Sequence, residues 1–197
     1  MNDLLAFFGL LPLAWLFIGL YIAGRLYPQY SHTKQFCSEL GALGSPTQKI
    51  SPIINNFPLG VIFCILGMLM IQQVDNTIIF FTALCVIIHG IGTVIAGLFG
   101  MDLDPYIKTP SRSGIIHSWA GFIMFISLLL PQVIILFEVE FLSYYFKLAS
   151  FCYFVLTLYF TVQLKLSYHQ KTVPGLYQRL SYGAQLVWLA HLSVYLA

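Results

Sequence analysis

Apolar residues in this chain fall into six runs separated by short polar segments. The runs cover residues 4–24, 53–71, 78–99, 115–137, 144–166 and 176–196. A membrane-spanning helix needs about 20 mostly apolar residues, whereas the strands of a membrane barrel are about 10 residues long and alternate in polarity. Because a helix satisfies its own backbone hydrogen bonds in lipid, the pattern predicts an all-α polytopic membrane protein. We expect a six-transmembrane-helix bundle that forms a single integral membrane domain over residues 1–197.

Composition supports this prediction and excludes several classes of protein. Of the 197 residues, 59% are hydrophobic and only 8% are charged. A soluble domain has about 25% charged residues, so a soluble enzyme or a disordered chain is excluded. Nine Lys and Arg against seven Asp and Glu leave no basic face, which excludes a nucleic-acid partner. The four cysteines lack CxxC spacing, and we interpret them as small buried hydrophobes.

The basic residues are distributed asymmetrically between the two ends of the predicted bundle. Lys147 lies alone at one end, and the other eight lie in or beside the first, third and fifth loops: Arg25, Lys34, Lys49, Lys108, Arg112, Lys165, Lys171 and Arg179. Loops rich in Lys and Arg stay in the cytoplasm during membrane insertion. The asymmetry therefore predicts cytoplasmic odd-numbered loops and places both termini outside.

Polar groups beside a bilayer are costly, and they are the first candidates for function. The two longest linkers, residues 28–52 and 100–114, converge with the start of the sixth helix at the predicted cytoplasmic end. Arginine suits bidentate contacts to phosphate, and a Gly- and Ser-rich loop can cradle an anion. The convergence predicts a site for a polar or phosphorylated membrane lipid, with these candidate ligand-binding residues: Ser38, Glu39, Ser45, Asn55, Asn56, Asp102, Arg112, His117 and Arg179.

The same residues also allow other functions. In an intramembrane lipid hydrolase or transferase, Asp102 and His117 would be metal ligands or an acid–base pair, with Glu39 as their partner. Their spacing matches no standard ligand pattern, so we predict neither a metal nor a cofactor. A small-solute transporter is a further alternative, although no helix carries a charge at its middle. The same polar residues could instead lock the helices together. Enzymatic activity and a homo-oligomeric state stay open.

Two histidines and a set of small residues lie within the apolar runs. At about 1.5 Å per residue, His89 is predicted ~16 Å into the third helix, near the bilayer centre. His191 lies on the sixth helix, which runs the other way, and is predicted ~22 Å from the cytoplasmic edge, so the two depths differ by ~8 Å and match a haem pair poorly. We expect each to be a buried neutral histidine that is bonded to a neighbouring helix. Gly92, Ala96 and Gly100 follow one another at steps of four, which predicts close approach of another helix.

Several short pieces of the sequence, in this order and spacing, resemble the DUF998 family of prokaryotic six-helix membrane proteins. They are SELGA at 38–42, SP at 45–46, the asparagines at 55–56, GLFGMD at 97–102, His117, GLYQR at 175–179 and Trp188. The chain departs from the family at Gly100 and Met101, where Phe-Pro is common, and at Gln178, where Glu is frequent. The family is named for its unknown function. The resemblance implies a location in the prokaryotic cytoplasmic membrane, and a similar layout in the Frag1/DRAM/Sfk1 group implies a role with lipids by analogy.

Overall fold

The computed structural model describes residues 2–138 and 141–197. Over these residues the chain is built from helices and forms no strand, which confirms the predicted all-α bundle. The six long helices are α1 (Asn2–Leu26), α2 (Phe57–Gln73), α3 (Thr77–Leu98), α4 (Arg112–Ile134), α5 (Tyr144–Gln170) and α6 (Pro174–Leu196). Two short segments matter for the site, namely a 3₁₀ turn at Cys37–Gly41 and a π turn at Pro52–Asn56 that leads into α2.

The helices begin and end where local side-chain chemistry favours it. The side chains of Asn76, Ser111 and Ser143 accept hydrogen bonds from first-turn amides of α3, α4 and α5. These caps satisfy backbone donors that the helix itself leaves free. Lys171, with a φ of 53°, ends α5 in the left-handed conformation, and Pro174 starts α6. The junction between α5 and α6 is therefore a tight turn.

The six helices form a ring. Each one packs against the next in chain order, and α6 closes the ring on α1. The junction between α4 and α5 is the least extensively packed of the six. The apolar core, which includes Phe63, Leu66, Met70, Ile79 and Trp188, fills the half of the ring away from the long loops.

Five of the helices are long and apolar enough to cross a membrane, and α6 is not among them. The greater polarity of α6 follows from its position, because it packs on α1 and α5 and also touches α4. Its Ser181, Gln185 and Ser193 are all buried within the protein. The chain is thus an integral membrane protein whose sixth helix buries polar side chains against its neighbours.

Glycines bring α2 and α3 into backbone contact. A Cβ added at Gly90 would lie 2.6 Å from the carbonyl oxygen of Gly60, and one added at Gly67 would lie 2.7 Å from that of Ala83. Gly92 lies on another face of α3, where an added Cβ would be 2.8 Å from the Met124 side chain of α4. The predicted close approach is confirmed, and it involves two neighbouring helices.

Residues 27–51, 99–111 and 171–173 lie together at one end of the ring, here called the long-loop end. The backbone amide of Leu43 donates to the carbonyl of Met101, which joins the first loop to the third, at 2.8 Å. The amide of Leu176 donates to the carbonyl of Thr33, also at 2.8 Å, which joins the first loop to the start of α6. The first loop therefore covers the long-loop end of the ring.

Candidate functional site

A cavity of about 370 Å³ lies inside the ring beneath the first loop. All six helices contribute to its wall, together with the 3₁₀ turn of the first loop and the π turn before α2. Most of the wall is apolar. Its polar side chains are those of Ser38, Ser51, Asn55, Asn56, His89, Thr93, His117, Thr161, Gln178, Ser181, Tyr182 and Gln185. The cavity therefore combines apolar walls with polar groups that could orient a bound molecule.

The π turn at Pro52–Asn56 shapes one side of the cavity. Its wider winding leaves carbonyl groups free, and the indole nitrogen of Trp15 on α1 donates to the carbonyl of Ile54 at 2.8 Å. Turns of this kind occur mostly as single irregular turns and are frequent at functional sites. The irregular start of α2 is consistent with the partly broken helix start that the adjacent asparagines and prolines indicate.

The two asparagines of this turn contact different helices. The side-chain nitrogen of Asn56 donates to the carbonyl of Thr93 on α3 at 3.3 Å, which leaves its Oδ1 without a protein partner. Asn55 lies against α1, where a Cβ added at Gly19 would clash with its Oδ1. Its nitrogen contacts the hydroxyl of Ser51 at 3.4 Å. Both asparagines therefore line the cavity and also fix the position of α2.

His117 lies in the second turn of α4 with its ring against the end of α3. Its Nδ1 is 3.0 Å from the carbonyl oxygen of Ala96 and 2.8 Å from that of Phe99. Carbonyl oxygens only accept, so Nδ1 carries the hydrogen, and Nε2 of the neutral ring has an unshared lone pair. No protein group contacts that lone pair among the described residues. His117 can therefore accept a hydrogen bond, or take a proton, from a molecule in the cavity.

His89 forms the deepest polar part of the wall, together with Tyr182. Its Nδ1 is 3.0 Å from the carbonyl oxygen of Met124, and its Nε2 is 2.9 Å from the Tyr182 hydroxyl. By the same argument Nδ1 donates to the carbonyl, and Tyr182 donates to Nε2. The Tyr182 oxygen keeps its lone pairs as acceptors. This geometry confirms for His89 the expected buried histidine that is bonded to a neighbouring helix. The same expectation is wrong for His191, which is half-buried and whose Nδ1 has no hydrogen-bond partner among the described residues.

Four polar residues of α6 form a stripe that faces the cavity. Gln178, Ser181, Tyr182 and Gln185 recur at helical spacing and all line the wall. Gln178 accepts from the backbone amide of Cys37 at 2.7 Å, and Gln185 donates to the carbonyl of Phe125 at 3.0 Å. Each glutamine side chain thus uses one of its two polar atoms to bond to the protein backbone, and its other polar atom has no partner among the described residues. This stripe was not predicted from the sequence, although its i, i+3, i+4, i+7 spacing indicates a polar face on one side of the helix.

The guanidinium of Arg179 fastens the first loop to α6. Its Nη1 donates to the carbonyl of Gln35 at 2.8 Å and to that of Gly175 at 2.9 Å, and its Nη2 donates to the Tyr30 hydroxyl at 2.6 Å. We call this group the loop latch: Tyr30, Gln35, Gly175 and Arg179. Its members hold the covering loop in place and do not line the cavity.

Other predicted site residues also bind backbone groups near the long-loop end. Glu39 accepts from the amide of Phe36 at 2.8 Å, which closes the 3₁₀ turn. Ser45 donates to the carbonyl of Leu40 at 3.0 Å. Asp102 accepts from the amide of Ser111 at 3.0 Å at the start of α4.

The structure therefore divides the predicted site residues into two groups. Ser38, Asn55, Asn56 and His117 line the cavity. The others lie outside its wall: Glu39, Ser45, Asp102, Arg112 and Arg179. Arg112 is exposed on the first turn of α4.

The predicted metal ligands or acid–base pair, Asp102 and His117, are not joined to each other in the structure. No three His, Cys, Asp or Glu side chains among residues 2–138 and 141–197 lie close enough together to hold a metal ion. No hydrogen bond joins Asp102 to His117, because the first binds the backbone of Ser111 and the second binds carbonyls of α3. An acid–base step in this region would therefore depend on His117 without direct help from Asp102.

Comparison with known proteins yields one match. A family model described as "Protein of unknown function (DUF998)" matches residues 10–195, which is nearly the whole chain. The matched region contains all the residues that line the cavity. No curated protein and no solved structure matches the chain.

Proposed function

The chain belongs to the DUF998 family of proteins of unknown function, and we propose that it binds a membrane amphiphile in the cavity of its six-helix ring. The observation that carries the proposal is the cavity itself, which has unused hydrogen-bonding groups inside a bundle of apolar helices. Its volume of about 370 Å³ is at the lower end for ligand pockets. That space suits a lipid headgroup and the adjoining part of its chain, with the remaining chain outside in the bilayer.

The junction between α4 and α5 offers the route for such a ligand. It is the least extensively packed junction of the ring, and both helices contribute to the cavity wall. Gly121 and Phe122 line the cavity and are both exposed. A Cβ added at Gly121 would meet no protein atom within 4 Å. An amphiphile can therefore enter sideways from the bilayer, headgroup first.

The proposal gives the predicted residues distinct roles. Ser38, Asn56 and His117 contact the headgroup, since all three line the cavity. Arg179 and Glu39 position the first loop above it through their bonds to loop backbone. By the distribution of basic residues, the covered end faces the cytoplasm and both termini lie outside.

A side chain placed at the proposed entrance tests this function. Gly121→Phe should fill the gap between α4 and α5 and reduce the lipid that copurifies with the protein. We expect a loss of about tenfold or more in bound lipid, which corresponds to roughly 1.4 kcal/mol of binding free energy. Native mass spectrometry of protein purified in a mild detergent measures the retained lipid directly.

Gly183→Phe is the matched control for this substitution. Gly183 is also a helical glycine whose added Cβ would meet no protein atom within 4 Å, and it does not line the cavity. We expect this variant to retain lipid as the unmodified protein does. Equal lipid retention by both variants would contradict the proposed route, and a complete absence of lipid from the unmodified protein would contradict the proposed function.

A further inference from the structure

The groups that remain free around the cavity are uncharged. No Lys, Arg, Asp or Glu among the described residues lines its wall. The two arginines closest to this region in sequence act elsewhere, because Arg179 is bound within the loop latch and Arg112 is exposed on the outside of α4. A phosphate in the cavity would therefore lose its water without gaining a cation, which is a costly exchange.

Acceptors are prominent among these free groups. Each of four side chains has an atom with an unshared lone pair and no donor among residues 2–138 and 141–197: Asn56 (Oδ1), His117 (Nε2), Tyr182 (Oη) and Gln185 (Oε1). Donors are also present, since the side-chain nitrogen of Gln178 and the hydroxyl of Ser38 have no protein acceptor in the described structure. A ligand that both donates and accepts hydrogen bonds satisfies this set.

We infer that the headgroup bound in the cavity is uncharged and carries hydroxyl groups, as in diacylglycerols and glycosyl-diacylglycerols. A hydroxyl donates to one of the free acceptors and accepts from Gln178 or Ser38. A fully ionised phosphate has no donor to offer, so the acceptor atoms would face its negative oxygens. This inference rests on the proposed function and narrows the polar or phosphorylated headgroup expected from the sequence to the uncharged class.

The test compares lipids that share acyl chains and differ only in their headgroups. Dioleoylglycerol, glucosyl-dioleoylglycerol, dioleoyl-phosphatidate and dioleoyl-phosphatidylglycerol are titrated separately into the purified full-length protein in detergent. Native mass spectrometry measures the bound fraction of each. We expect the two uncharged lipids to bind at least about tenfold more tightly than phosphatidate, which is roughly 1.4 kcal/mol.

Removal of one acceptor provides a second measurement. Tyr182→Phe keeps the ring and deletes the hydroxyl, and it should weaken binding of dioleoylglycerol by about threefold to tenfold, the effect of one hydrogen bond. Tyr153→Phe is the control, since Tyr153 does not line the cavity. It should leave binding unchanged, and thermal melting of both variants monitors folding.

The possible results distinguish the inference from the function beneath it. Phosphatidate binding that equals or exceeds dioleoylglycerol binding, and that Gly121→Phe abolishes, would overturn the inference and leave the proposed function in place. If Gly121→Phe reduces the binding of none of the four lipids, both the inference and the proposed function are overturned. Equal effects of Tyr182→Phe and Tyr153→Phe would also count against the inference.

Discussion

Arg179→Met should detach the first loop from α6 and lower the free energy of unfolding by about 3 kcal/mol or more. The three hydrogen bonds of the Arg179 guanidinium all go to acceptors of the loop latch, at 2.6 to 2.9 Å. A hydrogen bond to a charged group contributes about 1.5–3 kcal/mol, and its loss leaves half-buried acceptors without a partner. Arg179→Lys should recover little of this, because the three N–H groups of an ammonium leave a single nitrogen and cannot reproduce the rigid fork in which Nη1 and Nη2 reach separate acceptors.

The reactivity of Cys37 reports on the position of the loop. Burial raises the pKa of the Cys37 thiol above its ordinary value, and the positive charge of Arg179 opposes this with a smaller lowering. At pH 8 the thiolate fraction is therefore small, and maleimide should label Cys37 slowly. When the loop detaches, the larger effect of burial disappears, so the pKa falls and labelling accelerates. Peptide-resolved mass spectrometry measures this rate at Cys37 in the presence of the other cysteines.

Arg112→Met is the control for the latch. Arg112 is exposed and makes no hydrogen bond within the described structure, so its loss removes the same charge without freeing the loop. We expect wild-type stability and slow labelling of Cys37. Gly175→Ala also tests the latch, because its added Cβ would clash with the carbonyl oxygen of Gln35 and push the loop away from α6. If Arg179→Met and Arg112→Met label Cys37 at the same rate, the latch does not hold the loop.

Gly90→Ala should be the second strongly destabilising substitution. The new Cβ would lie 2.6 Å from the carbonyl oxygen of Gly60 and 3.1 Å from the amide nitrogen of Cys64, both of them backbone atoms of α2. Because helix backbone cannot yield as a flexible side chain can, α2 and α3 must move apart. Overpacking of this kind costs about 1–3 kcal/mol, which outweighs the gain of up to about 1 kcal/mol in helix propensity.

Thermal unfolding in detergent compares this variant with Gly183→Ala. Gly183 is helical and has open space around it, so alanine there brings the propensity gain without a clash. We therefore expect the melting temperature to fall for Gly90→Ala and to rise for Gly183→Ala, each relative to the unmodified protein. A Gly90→Ala protein as stable as Gly183→Ala would mean that the contact between the two helices is not tight.

The helices were predictable because the apolar runs are about 20 residues long and are bounded by residues that cap or break helices, such as Asn76 and Pro174. The candidate site was only partly predictable. The sequence predicts charged and neutral ligand-binding residues together, yet Arg179 bonds to loop backbone, and the polar residues that line the cavity are neutral. The contact of His89 with Tyr182 depends on α3 and α6 lying in one ring. Separate helical patterns do not reveal that arrangement.

The polarity of α6 has a consequence for biogenesis. A helix that carries Gln178, Arg179 and Gln185 partitions from the translocon into lipid less readily than the five before it. Its polar groups find partners on earlier helices, as where Gln185 donates to the carbonyl of Phe125 on α4. Those helices must therefore already be in the bilayer when α6 leaves the ribosome. Insertion of α6 and closure of the ring then become a single step. If the earlier helices have not yet assembled, the polar groups of α6 lack the carbonyl acceptors that they bind in the folded protein.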